Sequence, residues 1–392
     1  MELVQQKGLC CGCRSCEQVC PKSAIHMEPD ECGFLYPVIN KSKCVDCGLC
    51  LKKCAFQSGY KTRKEFEPFY GFGARHKSEE GYMESRSGGA FVALSDWVLA
   101  KQGSVYGAGY DEKEGFYKVV HKETVTAAQR DELRCSKYVQ SDLGNTFNKI
   151  KQQLEEGKVV LFSGTGCQVG ALYKFLPKEY DTLYTIDIVC HGVPSPKMWK
   201  DFLKMREKEF HGKVEAVQFR DKKKFGWTPQ HETLQIRGKE YSSRIYGKLF
   251  SKAYYRPSCF QCVYTNQNRP ADITIADFWG HEKAIPGVWD DEKGISLVLI
   301  NNRRGMDWWN EAKQELDYID CTGYPFRHTN MKRPTKKPEN YAQFWDDYQN
   351  NGFTTVVKKY ADYEPQNYWK NKLVSLFGKQ TGTQLQKEKG EQ

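Results

Sequence analysis

Eight of the sixteen cysteines fall in two runs, Cys10-x2-Cys13-x2-Cys16-x3-Cys20-Pro21 and Cys44-x2-Cys47-x2-Cys50-x3-Cys54. The repeated spacing constrains the first 60 residues more than any other property of the chain. Three cysteines at intervals of three, on a tight loop, aim their sulfurs at three corners of one cubane. The fourth corner comes from the trailing cysteine of the other run. The spacing therefore predicts two 4Fe–4S clusters, one on Cys10, Cys13, Cys16 and Cys54, the other on Cys44, Cys47, Cys50 and Cys20. A unit this small buries little apolar surface, so metal coordination must supply much of its folding free energy. A disulfide framework would need an oxidising compartment, and the opening Met-Glu-Leu-Val-Gln-Gln-Lys has no apolar leader. Zinc favours paired Cys-x2-Cys knuckles over triplets with a trailing Cys-Pro. Cys11 and Cys32 lie outside both runs and read as bystanders.

The remaining residues are enough for one or two further domains that fold by ordinary burial. No apolar run approaches the roughly 18 residues of a membrane span. Sixteen cysteines without an export signal place the chain in a reducing cytoplasm, and oxygen-sensitive clusters favour an anaerobic host. The net charge of +10 is scattered, which argues against nucleic acid. Its densest clusters, Arg220-Asp221-Lys222-Lys223-Lys224 and Lys332-Arg333-Pro334-Thr335-Lys336-Lys337, read as short solvated loops. A basic surface also suits an acidic redox partner or a phosphate-bearing cofactor.

After a polar connector from Gln57 to Glu67, the turn Ser85-Arg86-Ser87-Gly88-Gly89 opens an apolar helix. Such a turn offers backbone N–H groups to a phosphate or an electron-rich ring, although it is also an ordinary helix cap. Val159-Val160-Leu161-Phe162 reads as a buried strand running into Ser163-Gly164-Thr165-Gly166-Cys167-Gln168, where a helix begins. Leu183 to Val189 reads as the next strand, so residues 158–189 predict a βαβ unit. Ligands in parallel sheets sit at the carboxyl ends of strands, where Cys167 and Cys190 both fall. Ser195 and Pro196 predict a helix start, and Gly226 to Tyr246 a β-hairpin. Beyond Arg327 the chain is polar and aromatic. Trp369, Leu373, Leu376 and Phe377 recur at helical spacing before a Lys/Gln/Gly tail that reads as disordered.

Several ordered motifs resemble the coenzyme F-420 hydrogenase/dehydrogenase beta-subunit family. They are Cys-Pro-Lys-Ser-Ala-Ile (20–25), Gly-Phe-Leu-Tyr-Pro (33–37), Ser-Gly-Gly (87–89), Ser-Lys-Tyr-Val-Gln-Ser (136–141), Gly-Thr-Gly-Cys-Gln (164–168), Cys-His-Gly-Val-Pro-Ser-Pro (190–196), Arg-Pro-Ser-Cys-Phe-Gln-Cys (256–262) and Ala-Asp-Phe-Trp-Gly (276–280). The resemblance implies an FAD-binding core that passes electrons between iron–sulfur clusters and a two-electron substrate. It credits Ser87, Gly88, Gly89, Lys137, Tyr138, Gln140, Ser141, Gly164 and Thr165 to the flavin site. Lys137 would stabilise either the reduced ring or a phosphate. His191 would protonate flavin or substrate, or be structural. Gly166 stands where relatives often carry proline, and Ala55 replaces the proline that usually follows the second run; neither removes a ligand.

Cys167, Cys190, Cys259 and Cys262 admit three readings: a third 4Fe–4S cluster between the ferredoxin unit and the flavin, a reactive Cys167 at a helix start, or buried thiols with a zinc knuckle. Cys135 is a substitute ligand. The expected architecture is an α+β / α/β chain. A ferredoxin-like two-cluster domain (1–60) precedes an α/β flavin-binding domain with a mixed, partly parallel sheet (61–156 and 157–328), followed by a polar, aromatic extension (329–392). The expected function is an iron–sulfur FAD oxidoreductase acting on an organic substrate or coenzyme, supplied by a redox partner protein or soluble electron donor. The alternative is an electron-transfer subunit without its own substrate.

Overall fold

The computed structural model describes residues 3–363; the helical spacing at Trp369–Phe377 and the expected tail lie outside them. The two cysteine runs flank an antiparallel hairpin of β1 (Ile25–Pro29) and β2 (Leu35–Ile39). Each run closes with a four-residue helix, Ser15–Gln18 and Leu49–Lys52.

The remainder is built on an eight-stranded mixed sheet. Its strands are β3 (Tyr70–His76), β4 (Ser104–Asp111), β5 (Gly115–Thr124), β6 (Val160–Thr165), β7 (Leu183–Ile188), β11 (Ile273–Asp277), β12 (Ser296–Ile300) and β13 (Leu316–Asp320). In space the order is β13-β3-β12-β11-β7-β6-β4-β5. The four central strands β4, β6, β7 and β11 run parallel, and the outer pairings are antiparallel. Helices cover both faces of the centre, so its strands are apolar runs: Val160, Leu161 and Phe162 are all buried, as is every residue of β12. The expected βαβ unit is present as β6, helix Gly166–Phe175 and β7. A small sheet of β8 (Val214–Gln218), β9 (Glu232–Ile236) and β10 (Lys239–Ser243) contains the expected hairpin.

Three helices, Pro196–Phe210, Ile245–Ser251 and Tyr341–Ala361, pack in one core with Cys32 and Phe34 of the N-terminal unit. Phe344 stacks on Tyr254 at 3.5 Å, and Trp345 meets Phe34 edge-on at 6.1 Å. The aromatic residues that made 329–392 read as an extension therefore serve as core. The long helix bends at Gly352, whose φ of 76° suits glycine. Ser195 accepts from the Met198 N–H, with Pro196 in the first turn, as the sequence predicts.

The N-terminal unit is fastened to the sheet domain through helix ends. Gln18 Oε1 accepts the backbone N–H groups of Phe147 and Asn148 (2.9 and 3.2 Å) and so caps helix Thr146–Glu155, whose own Asn145 does not. Lys53 Nζ donates to the Phe175 and Leu176 carbonyls at the end of helix Gly166–Phe175. Groups that every helix leaves unpaired are thus satisfied from the neighbouring unit. Arg14 adds an ion pair to Asp142. No helix among the described residues is long and apolar enough to cross a membrane.

Candidate functional site

A cavity of about 570 Å³ opens at the carboxyl ends of the parallel strands, where an α/β sheet leaves backbone and loop groups free to meet a ligand. Ser87, Gly89, Lys137, Tyr138, Ser141, Gly164, Thr165 and His191 all line it. Gly88 lies beneath: a Cβ there would come within 2.1 Å of the Ala74 carbonyl oxygen. The turn presents fewer free N–H groups than expected, because Ser296 Oγ accepts from both Gly88 (3.0 Å) and Ala90 (3.4 Å). Gln140 turns the other way, donating to the Cys11 carbonyl at 2.8 Å.

The cavity is basic. Arg86 and Arg220 line it, and each has a buried Nε without a hydrogen-bond partner. Asp277 is their counter-charge, 3.0 Å from Arg220 and 3.9 Å from Arg86. Lys137 Nζ donates to the Glu132 and Arg134 carbonyls (2.6 and 2.7 Å), and burial pulls its pKa down to about 8. Lys222 sits behind the Ser87 turn, donating to the Tyr82 and Ser87 carbonyls, and burial lowers its pKa to about 7. The solvated-loop expectation for residues 220–224 is therefore corrected. Arg220 and Lys222 are drawn inward by backbone carbonyls and by Asp277, while Lys223 and Lys224 stay outside. The one N–H of each guanidinium left without a partner, on Nε, and a cavity of this size fit a diphosphate-bearing cofactor such as FAD.

His121 also lines the cavity and carries no signal in the sequence. Its Nε2 meets the Ser163 carbonyl at 3.0 Å and its Nδ1 meets Ser141 Oγ at 2.9 Å, while Gln168 donates to that same oxygen. The Ser163 carbonyl requires the proton on Nε2, and with the ring neutral Nδ1 accepts from the Ser141 hydroxyl. Burial lowers the His121 pKa to about 4. His191 stands at the solvent-exposed rim; burial of the ring among its neighbours and the nearby His328 lower its pKa.

Behind this cavity, Cys167, Cys190, Cys259 and Cys262 surround a second, smaller one, together with Cys11. Thr165, Gln168, Ile188, Cys190 and His191 belong to the walls of both cavities. Cys135 lines only the large cavity and stands apart from the other four thiols. A single zinc would draw its sulfurs to about 3.8 Å of one another, given Zn–S bonds of about 2.3 Å. Among the described residues, the one His/Cys/Asp/Glu group with ligand atoms within 4.8 Å of one another is Asp30, Glu31 and Cys32, and Lys7 pairs with both of its carboxylates. The four thiols line one cavity, and no three of them lie that close together. Burial raises Cys190 and Cys262 to about 12 and also pushes Cys259 well above its ordinary value, so thiolates there need a cationic partner beside them.

The two N-terminal runs follow the same logic. Cys16 lies in the electrostatic reach of Cys13, Cys10 and Cys54, which are the first predicted ligand set. Cys20, Cys44, Cys47 and Cys50 line one small cavity, the second set. All sixteen cysteines are free thiols. Backbone N–H groups of Gly12 and Ala24 point at the sulfurs of Cys10 and Cys20 (3.4 and 3.3 Å), a polar environment that suits cluster thiolates. The donor sets fit two 4Fe–4S clusters.

Two residues that join these sites escaped the sequence reading. Cys11 lines the four-thiol cavity, and its thiol is near enough to Cys13 and Cys167 to lower their pKa values while its own rises. It therefore connects the first run to the four-thiol cavity rather than standing by. Arg256 is fully buried. It donates to the Cys10 carbonyl (2.7 Å), the Leu35 carbonyl (2.8 Å), Gln140 Oε1 (3.1 Å) and Cys10 Sγ (3.5 Å), and stacks on Tyr36. The only sequence signal for Arg256 was its place in the 256–262 motif; Cys11 had none.

Residues 157–322 match the family described as the C terminus of the coenzyme F420 hydrogenase/dehydrogenase beta subunit, and residues 9–58 match a 4Fe-4S dicluster domain. No curated protein matches the chain. Among solved structures, a chain from the F420-reducing [NiFe] hydrogenase complex of Methanosarcina barkeri is similar at 16% identity. The match covers 74% of this chain and 91% of that one, with a TM-score of 0.45.

Proposed function

Because the chain belongs to the coenzyme F420 hydrogenase/dehydrogenase beta-subunit family and carries a 4Fe–4S dicluster domain, we propose that it is an iron–sulfur flavoprotein oxidoreductase. It passes electrons between clusters and FAD to reduce or oxidise an organic substrate. The observation that carries this reading is the wall shared by the four-thiol cavity and the large basic cavity. Cys10, Cys13, Cys16 and Cys54 would hold one cluster, and Cys20, Cys44, Cys47 and Cys50 another. Cys167, Cys190, Cys259 and Cys262 would hold a third, with Cys11 between it and the first. FAD would occupy the large cavity, where a flavin supplies the conversion between single electrons and a two-electron substrate.

The chain's own residues divide the remaining work. Arg86 and Arg220 offer charge to a diphosphate. Lys137 adds a cation that two backbone carbonyls hold in place. The Gln168–Ser141–His121 chain keeps the cavity wall neutral and fixed. His191, a neutral imidazole at the rim, is positioned to relay a proton to the substrate.

Anaerobic purification with iron, sulfide and flavin analysis tests the proposal. About 12 iron atoms and one FAD per chain are expected. About 8 iron atoms would remove the third cluster, and no flavin after reconstitution would remove the oxidoreductase reading. A second reading, an electron-transfer subunit without its own substrate, is favoured by the family's description as a beta subunit. Flavin reoxidation by candidate substrates without any partner protein separates the two.

A further inference from the structure

The N-terminal unit presents one face that neither the sheet domain nor its own charges cover. Of the sixteen cysteines, only Cys47 is solvent-exposed. Beside it, Val45 is 58% exposed, and Val38 on β2 is 38% exposed; both are among the few large apolar side chains left in water. Lys22, Lys41, Lys43 and Lys52 are all exposed, and none forms an ion pair among the described residues. Lys22 and Val45 line the same small cavity as the four cysteines, and Lys43 and Lys52 lie one and two residues beyond them in sequence.

The acids of this unit do not cancel that charge. Glu17 is paired with Arg14, Glu28 with His26, and Asp30 and Glu31 with Lys7. Asp46 is an exposed carboxylate lining the same small cavity and is outnumbered by the four lysines. Lys53, by contrast, is spent on the carbonyls of a neighbouring helix. Exposed valines on a small unit with four exposed lysines that form no ion pair among the described residues suit a transient interface. Such charge sets the encounter rate and partner choice more than the affinity.

We infer that the face around Cys47, Val45 and Lys22, Lys41, Lys43 and Lys52 docks an acidic one-electron carrier protein. The inference rests on the proposed cluster at Cys20, Cys44, Cys47 and Cys50. The exchange moves one electron from the carrier's reduced centre to that cluster, with no bond made or broken and no proton transferred. The opposite flow is equally balanced. The first run is enclosed by Arg256, Gln140 and the sheet domain, which leaves the second run as the accessible terminus of the thiol path.

The test uses the oxidised holoprotein and a small acidic ferredoxin as probe, with binding measured anaerobically by calorimetry at rising salt. Wild-type binding should weaken steeply with salt. Combined Lys41→Glu, Lys43→Glu and Lys52→Glu substitutions, none at a residue lining the cluster cavity, should weaken binding at least about tenfold and flatten the salt dependence. Iron and sulfide content should equal those of the wild type. Val45→Asp alone should weaken binding without altering the salt slope. Unchanged binding in both variants would overturn the docking surface. Failure of methyl viologen to reduce wild-type protein of full iron content would overturn the cluster reading instead.

Discussion

The two cysteine runs share one spacing and occupy opposite environments. The first is pressed against the sheet domain: burial raises the thiol pKa values of Cys10, Cys16 and Cys54, and Arg256 reaches the Cys10 sulfur. The second faces outward, with Cys47 exposed and nearby Lys22, Lys43 and Lys52 forming no ion pair among the described residues. The same local geometry thus supports an inner and an outer site, and the contacts beyond each loop decide which is which. A cluster's potential follows its hydrogen bonds and exposure, so two identical motifs are expected to differ in function.

The largest effects should come from exchanging trailing cysteines. Cys20→Ser should destroy the outer cluster, and Cys54→Ser the inner one, each lowering iron from about 12 to about 8 atoms per chain. Electron paramagnetic resonance would identify which signal is lost. Loss of the inner signal in Cys20→Ser would break the crossed ligand assignment. Because the inner loop carries the Gln18 and Arg14 contacts to the sheet domain, Cys54→Ser should lower the melting temperature more than Cys20→Ser does.

Next in size is Arg256→Ala. It strands the Cys10 and Leu35 carbonyls and Gln140 in the interior, with a cost of roughly 3–5 kcal/mol. Denaturant unfolding should register that loss, and the inner cluster's midpoint potential should shift while the outer one's holds. Arg256→Lys should restore part of the stability but less of the potential, since an ammonium lacks the planar fork. Equal shifts in both potentials would mean that Arg256 does not discriminate between the runs.

His121 tests the cavity wall against both runs. Its folded pKa near 4 lies below the ordinary value of 6.5, so between those values the unfolded chain binds more protons. Stability should therefore fall as pH drops from about 6.5 toward 4, by about 3 kcal/mol over the full window. His121→Gln should flatten that slope in pH-dependent melts. The smallest effect is expected at the outer face: Lys41→Ala should change stability by less than about 0.5 kcal/mol, so that charge changes there can be read as docking effects.

Much of this site was legible from short stretches. The eight cysteines of the two runs, which lie in a matched 4Fe-4S dicluster domain, the Ser163–Gln168 strand-to-helix turn and the Ser195–Pro196 helix start are local patterns, and the last two occupy the elements their sequence implied. Cys167, Cys190, Cys259 and Cys262 were grouped by residue type and strand position, and they do surround one cavity. What the sequence did not reveal depends on partners far along the chain. Gln140 was credited to the flavin site with its neighbours, yet its amide bonds to Cys11, 129 residues away. Cys11 reads as a bystander until helix Gly166–Phe175 brings Cys167 against it. Arg220 and Lys222 look solvated until Asp277 and the Ser87 turn arrive.

By itself, then, the sequence determined the cluster-binding loops, because covalent spacing alone aims three sulfurs at one centre. It also determined the turns that open helices at strand ends. Only the tertiary structure decided which cysteine run is buried and which stays exposed, that Cys11 and Arg256 join the inner run to the four-thiol cavity, and that the aromatic helix Tyr341–Ala361 completes the core. Burial and charge pairing are properties of surfaces brought together over long chain separations, and no local pattern encodes which surface will be covered.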